Sequence, residues 1–600
     1  MNRFNSSRSR YIALTGLALL CAPALSHAAN RNVPAVYPNI QEAINASVNG
    51  DTVLVSPGVY SGPGNVNLDP AGKAITIKSA SGPGSCTLDG GNANQIFLIH
   101  SGETTKTIVS GFTLQRGFGY NGGAICITSS SPTILNCVFK NNQATNGGGC
   151  YAALDPANTL KPANAPSFSN CTFVHNQAGN GNEPVPSGGG LMLVGGAGVI
   201  SNCVFASNVA SPPGGDISNG GGLMLQSDKT KVSNCAFNNN ASWNGGGAQA
   251  DQNSLATFTN CTFNANTGWG NGGGADVTGG ANPVFNNCAF TNNYGAFAGG
   301  LASFSGLGVK VSGCVFDSNI TDYLGAGLGA WSGILNVVNC TFSNNTAPNG
   351  AGIWTQSSGE TTIVNSTFDS NSAGDLGGGL YAQGSNPTVT GCLFTNNSAT
   401  MSTYATGGGA YCSGSPTFIG CLFDGNVANY GAGLATGGWK ASNKSVVVNT
   451  VFENNTATYM AGGIHVEGDT AIITQCTFSG NLVSSQAGNG DGIACQAYFT
   501  LTISDTILWD TGRGAAGSDF NTDASGAATF QYSDVYGGAP GVDNLNVDPQ
   551  FTDPANGDLW LQATSPCLKA GSTKVPNYSG VDVEGTRRNA KTPTMGAYEN

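Results

Sequence analysis

The chain is poor in charge, in histidine and in long apolar runs. Only 9% of its 600 residues are charged and four are histidine. There is no basic run, and no arginine stands between Arg116 and Arg513. With a net charge of -12, this excludes nucleic acid as a partner, because phosphate binding needs clustered Lys and Arg. Beyond the N-terminal leader no segment approaches the roughly 18 consecutive apolar residues of a membrane helix, so no transmembrane span is expected. His100, His175 and His465 stand too far apart in the chain's repeat to suggest zinc. Nor is the composition that of a charged, self-repelling disordered chain.

What the chain does have is glycine, 90 residues of it, and repetition. The phrase NCTFSNN at Asn339 returns with small changes at Asn136, Asn170, Asn202, Asn234, Asn260, Asn287, Gly313, Asn365, Gly391, Gly420, Asn449 and Gln475. From Asn260 the copies follow one another every 26 to 29 residues, and a fixed period of this size marks a solenoid. A second phrase, GGAICI at Gly122, GAGIWT at Gly350 or GGGLYA at Gly377, alternates with it. The first residue after its glycines is apolar throughout, while the second also admits Gln249, Asp276, Gly329 and His465. That alternation is a strand with one buried face. Cys and Phe of the first phrase lie two apart and share a strand face, so both should point inward. The expected fold is therefore all-β, a right-handed parallel β-helix of some 15 to 18 coils, roughly 70 to 85 Å long at the spacing of paired strands.

The ends are different. Arg3, Arg8 and Arg10, the apolar stretch 11–25 and Ser26-His27-Ala28 read as a signal peptide over 1–28, which implies a secreted or cell-surface, outer-membrane-associated protein. Residues 29–121 form an N-terminal cap and irregular first coils, with Ile40, Ala43, Ile44 and Val48 as the apolar stripe of a capping helix. Regular coils occupy 122–510, and 511–600 hold the last coils and a small C-terminal cap. Of 18 cysteines, most sit in the repeat phrase, and Ser366 and Thr450 replace Cys there without disturbing it. The column reads as small, buried, reduced side chains. The final Asn of each phrase reads as a turn residue tolerant of left-handed backbone.

The GGAI and FKNN phrases at Gly122 and Phe139 resemble the repeats of polymorphic outer-membrane proteins, within the pectin-lyase-like β-helix superfamily. The run DPQFTDPANGDLWLQATSPCLKAG followed by MGAYE resembles the choice-of-anchor Q domain of exported bacterial β-helix proteins. The resemblance implies the fold and an exported setting. It does not imply an activity, because the superfamily includes lyases, glycosidases and adhesins alike.

Catalysis would need paired carboxylates, or a base with a cation that neutralises a uronate. Asp228, Asp251 and Asp276 drift along successive coils, Lys140, Lys229, Lys231 and Lys310 share no register, and NTD at Asn521 lacks the partner phrases of a polygalacturonase. No cofactor is expected. Ca²⁺ between coils is compatible with the oxygen-rich turns, although neither an EF-hand nor a GGxGxDxUx repeat is present. The best functional signal is aromatic. Trp354, Tyr381 and Tyr411 occupy the outward second position in three successive coils, and Trp243, Trp269, Tyr294 and Tyr323 precede the glycines in successive turns. Stacked aromatic faces beside polar side chains suit the apolar faces of sugars. The expected function is that of a non-catalytic, adhesin-like protein binding glycans or other surfaces along its long face. The alternative is a polysaccharide lyase or glycoside hydrolase acting on an acidic or plant or algal polysaccharide.

Overall fold

One coil shows how the repeat becomes structure: strands Ile334–Val338, Thr341–Ser343, Thr346–Asn349 and Ile353–Thr355 follow each other around the axis. The computed structural model describes residues 28–154, 165–179, 185–211, 217–304, 307–356, 359–437, 443–485, 490–510, 519–522 and 526–599. The signal-peptide reading of the first 27 residues, and most of the long turns at 155–166, 177–187 and 209–219, lie outside that set. Coils stack into four parallel sheets of 20, 18, 14 and 16 strands, numbered here first to fourth in the order the chain visits them. In the second sheet the register repeats from coil to coil, Phe290 pairing with Phe316 and Phe316 with Phe342, while the third sheet carries register shifts between Ala347 and Asn349 and between Ala428 and Tyr430.

The interior is a set of columns. The phrase phenylalanines stack with ring centroids between 4.3 and 5.0 Å apart and nearly parallel planes. Beside them runs the cysteine column, and all of its described members are thiols. The backbone N–H of Cys288 donates to Cys314 Sγ at 3.2 Å, and the Cys314 thiol donates to the Ser312 carbonyl at 3.4 Å. Burial pushes the Cys137 and Cys392 thiols up to about 11, so they keep the proton they donate. Hydroxyls satisfy the same pattern, which explains the substitutions: Cys340 N–H donates to Ser366 Oγ at 3.1 Å and Cys421 N–H to Thr450 Oγ1 at 3.4 Å.

The final Asn of each phrase does something other than turn the chain. Left-handed backbone belongs to its neighbours, Asn339 at φ 54 and Asn344 at φ 55, while Asn345 itself is fully buried. Its Nδ2 donates to Phe316 O at 2.9 Å and to Asn371 Oδ1 at 2.9 Å, and its backbone N–H donates to the same Oδ1 at 3.2 Å. Every rung from Asn142 to Asn455 repeats these three bonds. The result is a buried amide ladder in which each donor and acceptor is used, as a buried polar group requires. Glycines close the coil: Gly350 has φ +60, and a Cβ on Gly352 would lie 2.4 Å from Gly379 O.

At the N-terminus, helix α1 (Ile40–Ala46) is capped by Asn39, whose Oδ1 accepts Glu42 N–H, and it buries Ile40, Ala43 and Ile44. Val48 falls past the helix end and is exposed. At the other end the chain leaves the stack and folds back along its flank. Phe551, Leu559, Leu561, Cys567, Met595 and Ala597 bury against Val451 and Ile507 on the outer face of the second sheet. The buried Arg588 ties this module down by donating to Asn449 Oδ1 at 2.7 Å and to the carbonyls of Gly596 and Ala597.

The ladder ends on carboxylates. Asn481 N and Nδ2 both donate to Asp510 Oδ1 at 2.9 Å, and Asp510 N donates to Asp519 Oδ2 at 2.9 Å. Asp510 Oδ2 stands where the next Nδ2 would be and has no partner among the described residues. Burial, then the charges of Asp519 and Asp491, push Asp510 well up, and burial raises Asp519 to about 7. A carboxyl whose folded pKa exceeds its unfolded value of about 3.9 favours folding at low pH, and that contribution fades as pH rises through the folded pKa. Asp510→Asn restores the missing donor. Thermal unfolding should show the variant more stable than wild type at pH 8, with the difference closing towards pH 4.5; a variant less stable than wild type at pH 8 contradicts the assignment.

Candidate functional site

Residues at the second position of the fourth sheet point out of the coil, yet they are not open to solvent. Beyond each glycine turn the chain lays the preceding segment against them, so that a Cβ on Gly431 would sit 2.8 Å from His465 Cβ and one on Gly350 2.8 Å from Trp354 Cβ. A second, alanine-lined core (Ala347, Ala351, Ala373, Ala399, Ala428, Ala432 and Ala457 among its members) holds the third sheet and the glycine turn together. The outward residues thus form a mostly buried strip along the axis, called the furrow floor below, and the segments before the glycine turns flank it as one wall.

This geometry corrects the expected aromatic face. Trp354 is 1% exposed and Tyr381 7%, both in the floor, and Tyr411 is half-buried. Tyr381 and Tyr411 stack as expected, with centroids 5.4 Å apart. On the wall, Trp243, Trp269 and Tyr323 are 37%, 45% and 55% exposed. Trp243 lies against the backbone of Gly270. Tyr294 does not continue their column: it pairs in register with Thr267 and Ile320, and its hydroxyl donates to Asp322. Tyr323 stacks instead on Phe297, centroids 5.0 Å apart.

The sequence reading missed Phe297, Phe304 and Trp331. They complete a chain of rings, Tyr323 to Phe297, Phe297 to Phe304, Phe304 to Trp331 and Trp331 to Trp354, at centroid separations of 5.0, 5.7, 6.1 and 5.4 Å. The floor beneath is small here, Ala302 and Gly329, which leaves the flanking aromatics to cover it. Trp331 keeps 44% of its surface exposed. Further along, Tyr430 contacts both Tyr459 and His465.

The floor is also polar. Gln249 Nε2 donates to Asp276 Oδ2 at 3.1 Å and to Thr278 Oγ1 at 3.2 Å, and Thr278 donates to Asp251 Oδ1 at 3.1 Å. Hydrogen bonds therefore link Asp251 and Asp276 although they do not stack. Burial, with the charge of Asp251 second, pushes Asp276 up to about 8. Asp228 is held apart by the hydroxyls of Thr230 and Ser254. Burial holds His465 down at about 4, hence neutral. Gln249 Oε1, Asp276 Oδ1, Trp354 Nε1 and His465 Nε2 all lack a partner among the described residues. Lys231 and Lys310, expected to share no register, fall in one column of the first sheet three coils apart. Among the described residues no group of three or more His, Cys, Asp or Glu side chains gathers to hold a metal ion.

The model of the right handed beta helix region matches residues 158–333, 223–376 and 329–506, together more than half of the chain. The Chlamydia polymorphic membrane protein repeat matches residues 136–153. No curated protein matches. Among solved structures the chain is similar to a mannuronic acid specific polysaccharide family 6 lyase from human gut microbiota, at 13% identity and a TM-score of 0.32 over 68% of this chain and 87% of that one. It is also similar to the PL6 family alginate lyase AlyGC, at 12% and 0.28 over 87% and 98%, and to the pectate lyase Pel9A, at 13% and 0.18 over 93% and 90%. At such identities and TM-scores nothing about activity passes from those enzymes to this chain.

Floor and wall residues should behave differently when removed. Trp354→Ala is expected to cost about 3–5 kcal/mol in unfolding free energy, as for other buried large-to-small changes, and Trp269→Ala no more than about 1 kcal/mol. Denaturant unfolding of the two variants checks this; equal losses would contradict the placement of Trp354 in the floor.

Proposed function

The chain belongs to the right handed beta helix region family, and from that premise we propose a non-catalytic protein of the cell exterior that binds glycan chains along the furrow. The observation that carries the proposal is a set of partly exposed aromatic side chains, Trp243, Trp269 and Tyr323 on the wall and Trp331 just past the floor strand, with Trp243 against the Gly270 backbone, Tyr323 on Phe297 and Trp331 on Phe304 and Trp354. Pyranose rings offer flat C–H faces that lie on such surfaces, and their hydroxyls bond to polar groups alongside. A polymer suits a site that repeats along a rod, because each further contact is intramolecular and adds avidity without a new deep pocket. Display at the surface is part of the proposal. The signal-peptide pattern over 1–28 and the polymorphic membrane protein repeat at 136–153 support it, and no helix among the described residues is long and apolar enough to cross a membrane.

One observation favours the second reading, a hydrolase or lyase. Asp276, raised to about 8 by burial and linked through Gln249 and Thr278 to Asp251, is the kind of protonated carboxyl that serves as a general acid. It is 1% exposed, so a substrate atom reaches it only if the floor opens.

The two readings separate in one experiment on the purified protein. Retention on immobilised neutral and acidic polysaccharides should fall at least about tenfold when Trp243, Trp269, Tyr323 and Trp331 are replaced together by Ala, with the melting temperature nearly unchanged and no new reducing or unsaturated ends appearing. Unchanged retention contradicts the furrow as the binding surface. Turnover that disappears in Asp276→Asn establishes the enzyme reading instead.

A further inference from the structure

A cavity separate from the furrow opens on the opposite side of the coil, at the seam between the second sheet and the C-terminal module. Its volume is about 540 Å³, within the range of small-ligand pockets. One wall is the solenoid itself: Trp509 follows strand Ile507–Leu508, and the buried Ser479 precedes it by one coil in the same outward column. The other wall is the hairpin of strands Phe551–Asp553 and Asp558–Leu561 with the residues that flank it, Asp548, Gln550 and Gln562.

The lining is already fixed in place. Trp509 is braced edge to face by Tyr536, with centroids 5.0 Å apart. Asp548 Oδ1 accepts Gln550 N–H at 2.8 Å, Gln550 Oε1 accepts the Thr564 hydroxyl at 2.6 Å, and Gln562 Nε2 donates to Phe551 O at 3.0 Å. Those bonds use one end of each polar group. Asp548 Oδ2 and Gln562 Oε1 remain as acceptors, Gln550 Nε2 as a donor, and the Ser479 hydroxyl can serve as either. An indole face beside a few oriented acceptors and donors is the lining that a sugar ring needs: apolar C–H bonds against the ring and hydroxyls against the carboxylate and carboxamides. Among the described residues no Lys or Arg lines the cavity, so the carboxylate of a uronic acid would face Asp548 without a counter-charge from them, at a cost in binding.

We propose that this seam pocket binds the end of a neutral saccharide, one hexopyranose ring against Trp509 with its hydroxyls on Asp548 and Gln562. The site is independent of the furrow, and it joins a ligand to the C-terminal module and the last coils at once. Ligand bound there should therefore hold the module to the stack.

Saturation-transfer NMR on the full-length protein with methyl glucoside, methyl galactoside, methyl mannoside and glucuronic acid tests the assignment. At least one neutral glycoside should receive saturation at its ring protons, and glucuronic acid should not. Trp509 also packs against the module's core, so Trp509→Ala alone could act through folding. Asp548→Ala and Gln562→Ala, at exposed positions, should each lower affinity at least about fivefold with an unchanged melting temperature, and the fourfold furrow variant should bind the glycoside like wild type. The proposal is overturned if no neutral glycoside receives saturation, if glucuronic acid binds as well as the neutral sugars, or if Asp548→Ala and Gln562→Ala leave the signal intact. Loss of binding in the furrow variant would place the sugar in the furrow and overturn it equally.

Discussion

The asparagine ladder is the constraint on which the other features rest. One buried amide per coil bonds to the coil before and the coil after, so each rung fixes the rise, the register and the position of the left-handed residue beside it. A rung cannot be dropped cheaply: removing one carboxamide leaves a buried backbone N–H, a neighbouring Nδ2 and a phenylalanine carbonyl unpaired, each costing roughly 1–3 kcal/mol. The phenylalanine stack and the cysteine column add apolar contact, but they tolerate exchange. Ser366 and Thr450 stand in for cysteine and Leu508 for phenylalanine. The amide column is more conservative in chemistry: from Asn142 to Asn481 it accepts no substitute, and where Asp510 takes the place the charge has to be managed by a proton.

Much of this was legible from the sequence because the solenoid is periodic. A period of 26 to 29 residues and the two-residue spacing of Cys and Phe dictate parallel coils with both side chains inside. What was not legible came from counting along the wrong ruler. Taken simply as the aromatics ahead of the glycines, Tyr294 joins Trp269 and Tyr323; counted forward from the ladder it stands one residue past Asn293, in the column of Thr267 and Ile320, while Phe297 and Tyr323 each stand four past their Asn and stack. The period of two correctly turned Trp354 and Tyr381 out of the core. It carries no information on what lies against them: the first glycines of the turns, Gly350 and Gly377, pack on their Cβ atoms, and both side chains are buried. Phe304 and Trp331 gave a usable signal, an aromatic just past a strand whose outward residue is Ala302 or Gly329. It becomes readable only once the small residue is understood as a gap that a neighbour fills.

The same logic assigns functions to faces. The interior is closed to ligands because its phenylalanine, cysteine and amide columns pack against one another from coil to coil. The furrow differs: its floor carries polar atoms without protein partners, and its wall carries rings with one open face. The seam with the C-terminal module differs again, being a local open cavity instead of a repeating surface. An elongated polymer and the end of a saccharide are the ligands these two shapes suit.

The central claim is that glycan binding occupies the exposed aromatic side chains that flank the furrow floor. Hydroxyl-radical footprinting read by mass spectrometry, with and without a polysaccharide that the protein retains, tests it at the level of single side chains. The account predicts protection concentrated on Trp243, Trp269, Tyr323 and Trp331, with the buried Trp354 unreactive in both states. Protection that falls on the first or second sheet instead, or no change at these four residues while the polysaccharide is bound, would contradict it.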